Sequence, residues 1–134
     1  MMRLDQAIAL QQALGRFADV EKATLGTYND ALGRFRARKI SELQLAAIIE
    51  TKVLPPWKEQ YETLLALHVT ADRAMQRNQI VEVMRLRAEG WELLARGLRT
   101  HSEPLLQEAD RRQQAAKKLL NDMSSSAAAP DGPP

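Results

Sequence analysis

The chain has 134 residues, of which 45% are hydrophobic and 27% are charged. This length suits one domain, since compact domains commonly hold about 100–150 residues, and the apolar fraction is high enough for a core. The absence of cysteine excludes disulfide scaffolds, thiolate zinc sites, iron–sulfur clusters and thiol catalysis. With 19 basic and 17 acidic residues the chain is near neutral, which is not the composition of a polyanion-binding protein.

The N-terminus and the hydropathy of the chain bear on its location. No segment reaches the roughly 18 consecutive apolar residues that a membrane helix needs. Polar side chains interrupt the N-terminal segment where a secretory signal would place its apolar stretch. We therefore expect no signal peptide and no transmembrane segment, which favours the cytoplasm, although cysteine usage gives no evidence on the compartment.

A single long helix is predicted over residues 3–38, where no proline interrupts apolar positions spaced alternately by three and four. The members of this heptad seam are Leu4, Ala7, Gln11, Leu14, Ala18, Glu21, Leu25, Tyr28, Leu32 and Phe35. Ile8, Leu10 and Phe17 widen the seam into a face that can contact two neighbouring helices. At about 1.5 Å per residue the helix would span roughly 50 Å, so it belongs to an elongated bundle.

The clearest local signal lies at the start of the second helix, which is predicted over residues 42–69. Ser41 and Gln44 have the spacing of a capping box, in which each side chain accepts a hydrogen bond from the other residue's backbone N–H. Ile40 precedes the cap, where a hydrophobic residue packs against the first turns as a staple. These residues predict where the second helix begins.

A proline pair divides this second helix. Pro55 and Pro56 lack the backbone N–H that a helix interior uses, and each disfavours helical angles in the residue before it. Helical periodicity resumes at once from Trp57, with no polar spacer between the two parts. We therefore expect one arm with a sharp kink at the prolines and with Trp57 packed into the bundle beside it.

Two further helices and a tail complete the predicted fold. Residues 72–100 and 103–123 have helical periodicity. Between residues 69 and 79 no strong helix breaker occurs, so a turn and one continuous helix both remain open. Residues 124–134 consist of Ser, Ala, Pro, Gly and one Asp, which predicts a disordered tail or a linker. The prediction is an all-α protein whose domain, residues 1–123, forms an elongated antiparallel four-helix bundle.

Two charged residues interrupt the predicted apolar seams. Glu21 lies near the middle of the first helix and Arg87 near the middle of the third, so an up-down-up-down bundle places them at similar heights. Because a buried unpaired charge is costly, we expect Glu21 to face Arg87, or the nearby Arg85, across the bundle. In the alternative, both side chains lie at the edge of the seam and reach water along their aliphatic stems.

Glycines recur one heptad apart at two places. Gly26 and Gly33 lie in the first helix, and Gly90 and Gly97 lie in the third. Such pairs can permit a close helix approach or an exposed docking groove. A long, well-packed helix also tolerates glycine at a cost of about 1 kcal/mol each relative to alanine. We expect these four residues to be merely tolerated.

Residues for catalysis or metal binding are sparse. His68 and His101 are each preceded at three residues by leucine, so neither belongs to the Glu-x-x-His pairs of di-iron bundles. We expect His68 in or beside the core and His101 at a helix end. No Gly-x-Ser-x-Gly motif and no glycine-rich phosphate loop occurs. The basic run from Arg34 to Lys39 suits a helix C-terminus better than nucleic-acid recognition.

These absences favour a non-enzymatic protein with no metal, cofactor or nucleic-acid ligand. The leading hypothesis is a helical module for protein–protein interaction or scaffolding, through a protein partner or through self-association. The alternative is a chaperone or adaptor that binds a secreted or membrane-bound client in an apolar groove. A third hypothesis is a membrane-surface protein, but the polar faces mix acids with arginine and glutamine and suit a bundle better.

Two segments resemble parts of a known group of proteins. ETKVLPPWKEQYETL contains a Pro-Pro-Trp motif, and VMRLRAEGWELLARGLRTHSEP contains a helix that ends in Leu-Arg-Thr. Both are similar to the soluble helical regions that accompany some bacterial rhomboid-type membrane proteins. The rhomboid catalytic apparatus and membrane helices have no counterpart in this sequence. The resemblance implies a non-catalytic accessory domain with the tail as a linker.

Overall fold

The computed structural model describes the backbone of residues 3–128 and the side chains of residues 8–124. Within this range the chain is helical except for short turns and contains no strand, so the all-α prediction is confirmed. The helices are α1 (Arg3–Arg36), α2 (Glu42–Ile48), α3 (Leu54–Leu65), α4 (Ala71–Thr100) and α5 (Glu103–Ala128), with a π-helical turn at Ile49–Val53 between α2 and α3.

The run from α2 through the π turn to α3 contains no non-helical residue. Pro55 and Pro56 lie in the first turn of α3, where a missing backbone N–H costs least. The N–H of Leu54 donates to the carbonyl of Ile49, five residues back, as a π-helical turn requires. The chain therefore passes both prolines inside one continuous helical run.

The predicted capping box at the start of α2 is confirmed. The N–H of Gln44 donates to Ser41 Oγ at 3.1 Å, and the N–H of Ser41 donates to Gln44 Oε1 at 2.8 Å. Ile40 packs half-buried against the core beside this cap. The chain enters α2 at the residue that the sequence indicates.

The ends of α1 and α4 are alike, because each places a non-glycine residue in the left-handed conformation. Arg38 has a φ of 61° and His101 a φ of 50°. In both turns the N–H of the following residue donates to the carbonyl five positions back, at 2.8 Å after α1 and 3.0 Å after α4. This is the Schellman motif, in which glycine is the usual residue at the left-handed position.

Between the second and third predicted helices, where the sequence allows either a turn or a continuous helix, the structure has a turn. α3 ends at Leu65, before the end predicted at residue 69, and α4 begins at Ala71. The guanidinium of Arg77 donates to the carbonyl oxygens of Leu65 and Leu67, the latter at 3.0 Å. It thereby satisfies the carbonyl of Leu65, the last residue of α3, and that of Leu67 in the turn that follows.

The last helix is longer than its predicted range of 103–123. α5 continues to Ala128, so the first residues of the expected tail are helical. No proline occurs there before Pro130, and alanine has the highest helix propensity. The rest of the predicted tail, residues 129–134, lies outside the described residues.

The face of α1 that enters the core is displaced from the predicted seam. Ala18 is exposed, Leu25 is 41% exposed, and Leu14 and Leu32 are only half-buried. The residues of α1 that are buried are Leu10, Ala13, Phe17, Thr24 and Ala31. Two neighbouring rows of α1 carry apolar residues at helical spacing, and the row that contains Phe17 faces inward.

The core is centred on α4, which packs most extensively against α5 and on another side against α2, the π turn and α3. α1 packs on α2, the π turn and α3. The largest fully buried side chains are Trp57, Leu45, Ile49, Leu64, Met84, Val53 and Val83. The arm formed by α2, the π turn and α3 thus supplies most of the large core residues.

Two glycines of α4 allow α5 to approach closely. A Cβ added to Gly90 would lie 2.9 Å from Gln113 Cδ, and one added to Gly97 would lie 2.7 Å from Leu106 Cδ2 and 3.2 Å from the Leu106 backbone nitrogen. The expectation that these glycines are merely tolerated is wrong at Gly97, where a Cβ would meet the backbone of Leu106 as well as its side chain. At Gly90 a Cβ would meet only the side chain of Gln113. A Cβ on either glycine of the α1 pair would meet nothing within 4 Å.

Candidate interaction surface

The inner face of α1 is anchored to α3 by Trp57. Its indole Nε1 donates to Thr24 Oγ1 at 3.0 Å, and its ring packs edge-on against Phe17 with centroids 5.5 Å apart. Thr24 Oγ1 in turn donates to the Val20 carbonyl at 2.6 Å. The indole is fully buried, so this hydrogen bond satisfies a donor that would otherwise be costly to desolvate. Trp57 therefore sets which face of α1 points inward.

A charged contact holds α1 at the level of the middle of α4. Arg87 Nη2 lies 3.2 Å from Glu21 Oε2, so the structure brings together the two residues that interrupt the predicted seams. Arg87 Nη1 also donates to Gln113 Oε1 of α5 at 2.6 Å. The side chains of Arg87 and Glu21 are 17% and 27% exposed, so the pair is partly shielded from water. Arg85 instead pairs with two glutamates of its own helix.

Gln113 is a functional partner that sequence reasoning missed. It occupies a polar position on the otherwise apolar face of α5, and its Nε2 also donates to the Arg87 backbone carbonyl at 3.3 Å. The signal that could have found it is an amide in a seam opposite a charged residue, because a buried guanidinium needs several acceptors. Arg87 thus connects α1, α4 and α5.

An aromatic contact completes the inner face of α1. The rings of Tyr28 and Trp91 are tilted by 60° with centroids 4.9 Å apart. Burial raises the pKa of the Tyr28 phenol, and the charge of Arg36 partly opposes this rise. Trp91 Nε1 is buried with no acceptor among the described protein atoms. Aromatic packing, rather than hydrogen bonding, therefore fixes this end of α1.

The charges between α4 and α5 are largely paired with one another. Arg112 of α5 contacts Glu89 of α4 and lies with its Nε 2.9 Å from Glu108 Oε2. The hydrogen bond from Arg112 lowers the pKa of Glu108, and that from Arg85 lowers the pKa of Glu82. These side chains are committed to contacts inside the molecule.

We call the open face of α1 the outer stripe. Its heptad-spaced residues are Ile8, Gln11, Gly15, Ala18, Lys22, Leu25, Asn29 and Leu32. All are exposed except Leu32, which is half-buried, and Ile8 and Leu25 are 47% and 41% exposed. A Cβ added to Gly15 would meet nothing within 4 Å. Part of the predicted seam thus lies on the outside of the molecule.

Two clefts elsewhere on the surface are bordered mainly by polar and charged side chains. A cleft of about 540 Å³ beside the α1–α2 turn is lined by Phe35, Arg36, Arg38, Lys39, Ile40, Ser41 and Gln44. A cleft of about 330 Å³ between α3 and α4 is lined by Lys58, Tyr61, Glu62, Arg85, Ala88, Glu89 and Glu92. Part of each lining is nevertheless apolar, at Phe35 and Ile40 in the first cleft and at Tyr61 and Ala88 in the second.

The histidines occupy surface positions. His68 is exposed in the turn before α4, so the expectation that it lies in or beside the core is wrong. His101 ends α4, with its Nδ1 3.2 Å from Glu42 Oε2. Across residues 8–124, no cluster of three or more His, Cys, Asp or Glu side chains is arranged to hold a metal ion. No described helix combines the length and the apolar character that crossing a membrane requires.

Comparisons with models of known protein families, with curated proteins and with solved structures find no match. No family is therefore assigned to the chain.

Proposed function

We propose that the chain is a non-enzymatic interaction or scaffolding module that binds another protein chain through the outer stripe of α1. The observation that carries the proposal is a heptad-spaced row of which seven members are exposed. Heptad rows with apolar members are stable when a second helix covers them. A partner helix is therefore the chemistry that this surface fits best.

The anchoring of α1 supports this proposal. The contacts of Trp57, Arg87 and Trp91 hold α1 against the rest of the molecule before any partner arrives. A preformed helix loses less conformational entropy on binding than a segment that must first fold. The inner contacts of α1 therefore hold the outer stripe in a fixed orientation.

The proposal includes the arrangement of the helices. We propose an elongated antiparallel four-helix bundle in which α2, the π turn and α3 form one arm, kinked at Pro55 and Pro56. Short connections support it, because helices joined by a few residues pack as antiparallel neighbours. The contact of His101 with Glu42 also supports it, since it puts the turn after α4 beside the start of α2.

Site-specific photo-crosslinking tests the proposal. A photoreactive amino acid replaces Leu25 on the outer stripe, and a matched control carries it at Lys117, which is exposed on α5. Each variant is expressed from the native gene position, irradiated in the cell and analysed by mass spectrometry. We expect one discrete cross-linked protein from position 25 and none from position 117.

The outcomes separate the hypotheses. Loss of cross-linking at position 25, with the protein folded and present at the normal level, would overturn the proposal. Many different cross-linked proteins would instead favour the chaperone or adaptor alternative, which predicts several clients. A single membrane protein as the product would support an accessory domain of the kind that the rhomboid resemblance implies.

A further inference from the structure

The residues of the outer stripe have heptad spacing, and its apolar members are Ile8, Ala18, Leu25 and Leu32. In a heptad two positions, a and d, form the contact between helices. The a positions of the outer stripe hold Ile8, Gly15, Lys22 and Asn29. The d positions hold Gln11, Ala18, Leu25 and Leu32. When two identical helices run antiparallel, each a residue shares a layer with a d residue of the other copy.

The two sets match one another in size and polarity when a second copy is placed with its two-fold axis at the level of Val20. Each layer then combines side chains that fit: leucine with glycine, apolar with apolar, amide with amide, and lysine with alanine. The layers pair Gly15 with Leu25, Ile8 with Leu32, Asn29 with Gln11, and Lys22 with Ala18.

Lys22 favours the antiparallel direction. A parallel pair would place Lys22 against the same lysine of the second copy and would leave a void between two copies of Gly15. In the antiparallel pair, Asp19 lies one residue from the level of Lys22 of the second copy. At about 1.5 Å per residue, this offset brings the carboxylate within reach of the ammonium group.

We propose that two copies of this chain associate through their outer stripes as an antiparallel α1–α1 pair. This inference rests on the proposed function and names a second copy as the chain that α1 binds. The stripe from Ile8 to Leu32 spans roughly 36 Å of helix. Stable interfaces bury about 800 Å² per partner, which is much for one helix pair, so the association is reversible and weak, with a Kd on the order of micromolar.

Charge reversal tests the pairing by sedimentation equilibrium of the whole chain at several concentrations. We expect a reversible monomer–dimer equilibrium for the wild type. Lys22→Asp places acids beside Asp19 of the second copy, and Asp19→Lys places amines beside Lys22. Each variant alone raises the Kd at least about tenfold, which corresponds to about 1.4 kcal/mol. An equimolar mixture of the two variants restores the dimer as a heterodimer, because their charges are then opposite in both pairs.

The controls separate a surface effect from a folding effect. Both residues are exposed, so the melting temperature of the monomeric variants stays near that of the wild type. Lys117→Asp makes the same charge change on exposed α5 and leaves the Kd unchanged. A wild type that is monomeric at every concentration, or variants whose mixture does not associate, overturns the proposal.

Disulfide trapping tests the direction of the helices in the same protein. The chain contains no native cysteine, so single cysteines can be introduced without interference. A mixture of Gly15→Cys and Leu25→Cys chains gives the mixed disulfide, and neither variant cross-links efficiently alone. Efficient trapping of Gly15→Cys with itself would indicate a parallel pair and contradict the inference.

Different results would contradict the α1–α1 pair and the proposed function. A monomeric wild type whose position 25 cross-links to another protein in the cell overturns the α1–α1 pair but supports an interaction module. A dimer in solution together with the same chain as the cross-linked product supports both.

Discussion

The two glycine pairs of the molecule have the same seven-residue spacing and opposite surroundings. In α4, Gly90 and Gly97 lie against Gln113 and Leu106 of α5, so an added methyl group would displace a neighbouring side chain. In α1, Gly26 and Gly33 face open space. Spacing alone shows only that each pair shares one helix face, and the neighbouring helix decides whether that face is used. The comparison therefore separates a helix held by close packing, α5, from a helix held by a few specific side chains, α1.

The largest expected effect breaks the attachment of α1. Trp57→Ala removes the buried indole and its hydrogen bond to Thr24, and should lower the free energy of unfolding by about 3–5 kcal/mol. Hydrogen exchange should accelerate in α1 more than in α5. Trp57→Phe, which keeps a ring beside Phe17, should cost clearly less. Equal acceleration in both helices would show that α1 is not held separately.

A double-mutant cycle measures the charged anchor of α1. Arg87→Ala should cost about 2–3 kcal/mol in urea unfolding, because Glu21 and Gln113 both lose a charged hydrogen-bond partner. Glu21→Ala should cost less, and the two changes together should show a coupling of about 1 kcal/mol. Arg85→Ala, which breaks only contacts within α4, serves as the control at below about 1 kcal/mol. Coupling near zero would contradict the anchor.

Alanine at one glycine of each pair should change stability in opposite directions. Gly97→Ala should destabilise by about 1–2 kcal/mol, because its methyl group meets Leu106, including the backbone. Gly33→Ala should stabilise by about 0.5–1 kcal/mol through the higher helix propensity of alanine. Gly33 lies outside the outer stripe, so the proposed α1–α1 association does not affect the change in stability measured for Gly33→Ala. The measurement is thermal unfolding of both variants side by side. Changes in stability of the same sign would contradict the difference between the two glycine pairs.

The turn after α1 offers a smaller, stabilising change. Arg38 adopts a φ of 61°, where glycine has no steric cost. Arg38→Gly should therefore raise the free energy of unfolding by about 0.5–1 kcal/mol. Arg36→Gly, in the last turn of the helix itself, is the matched control and should destabilise. A destabilised Arg38→Gly would show that the guanidinium makes a contribution larger than the backbone strain.

The smallest expected effect is the loss at low pH of the stability that the Glu50–Arg99 pair contributes. The hydrogen bond from Arg99 lowers the pKa of Glu50 below its ordinary 4.5. A carboxyl with a depressed folded-state pKa contributes its stabilisation above the ordinary value and loses it as the pH falls through the folded value. We expect Glu50→Gln to lower the melting temperature more at pH 6 than at pH 3. The pair is exposed, so the difference is small, and an equal shift at both pH values would contradict the assignment.

Local signals in the sequence located the ends of elements better than the faces of helices. Ser41 and Gln44 satisfy each other within one turn, so their capping box needs no distant partner and is predictable. The inward face of α1 depends on where Trp57 finds Thr24, 33 positions away in sequence, and two neighbouring rows fit the same period equally well.

The end of α3 shows the same dependence on distant residues. α3 ends at Leu65 although no residue in the segment itself is a helix breaker, and the guanidinium of Arg77, twelve residues further along, donates to the Leu65 carbonyl. The pairing of Glu21 with Arg87 could be proposed only because both charges stand out in apolar seams. Four members of the outer stripe, Gln11, Ala18, Leu25 and Leu32, belong to the seam that was predicted to face the bundle, because nothing local distinguishes a covered row from an uncovered one.

The π turn has a consequence for insertions and deletions in this arm. Leu45, Ile49, Val53 and Trp57 are all buried although they are four residues apart each time, a spacing that drifts around an α-helix. The wider π turn absorbs this drift, so the arm is equivalent to an ordinary heptad seam that has accepted one extra residue. An uninterrupted α-helix would leave Pro55 clashing with the preceding turn. The extra residue and the proline pair therefore depend on each other. A chain that lost only the extra residue, or only the prolines, would pack this arm less well than a chain that lost both.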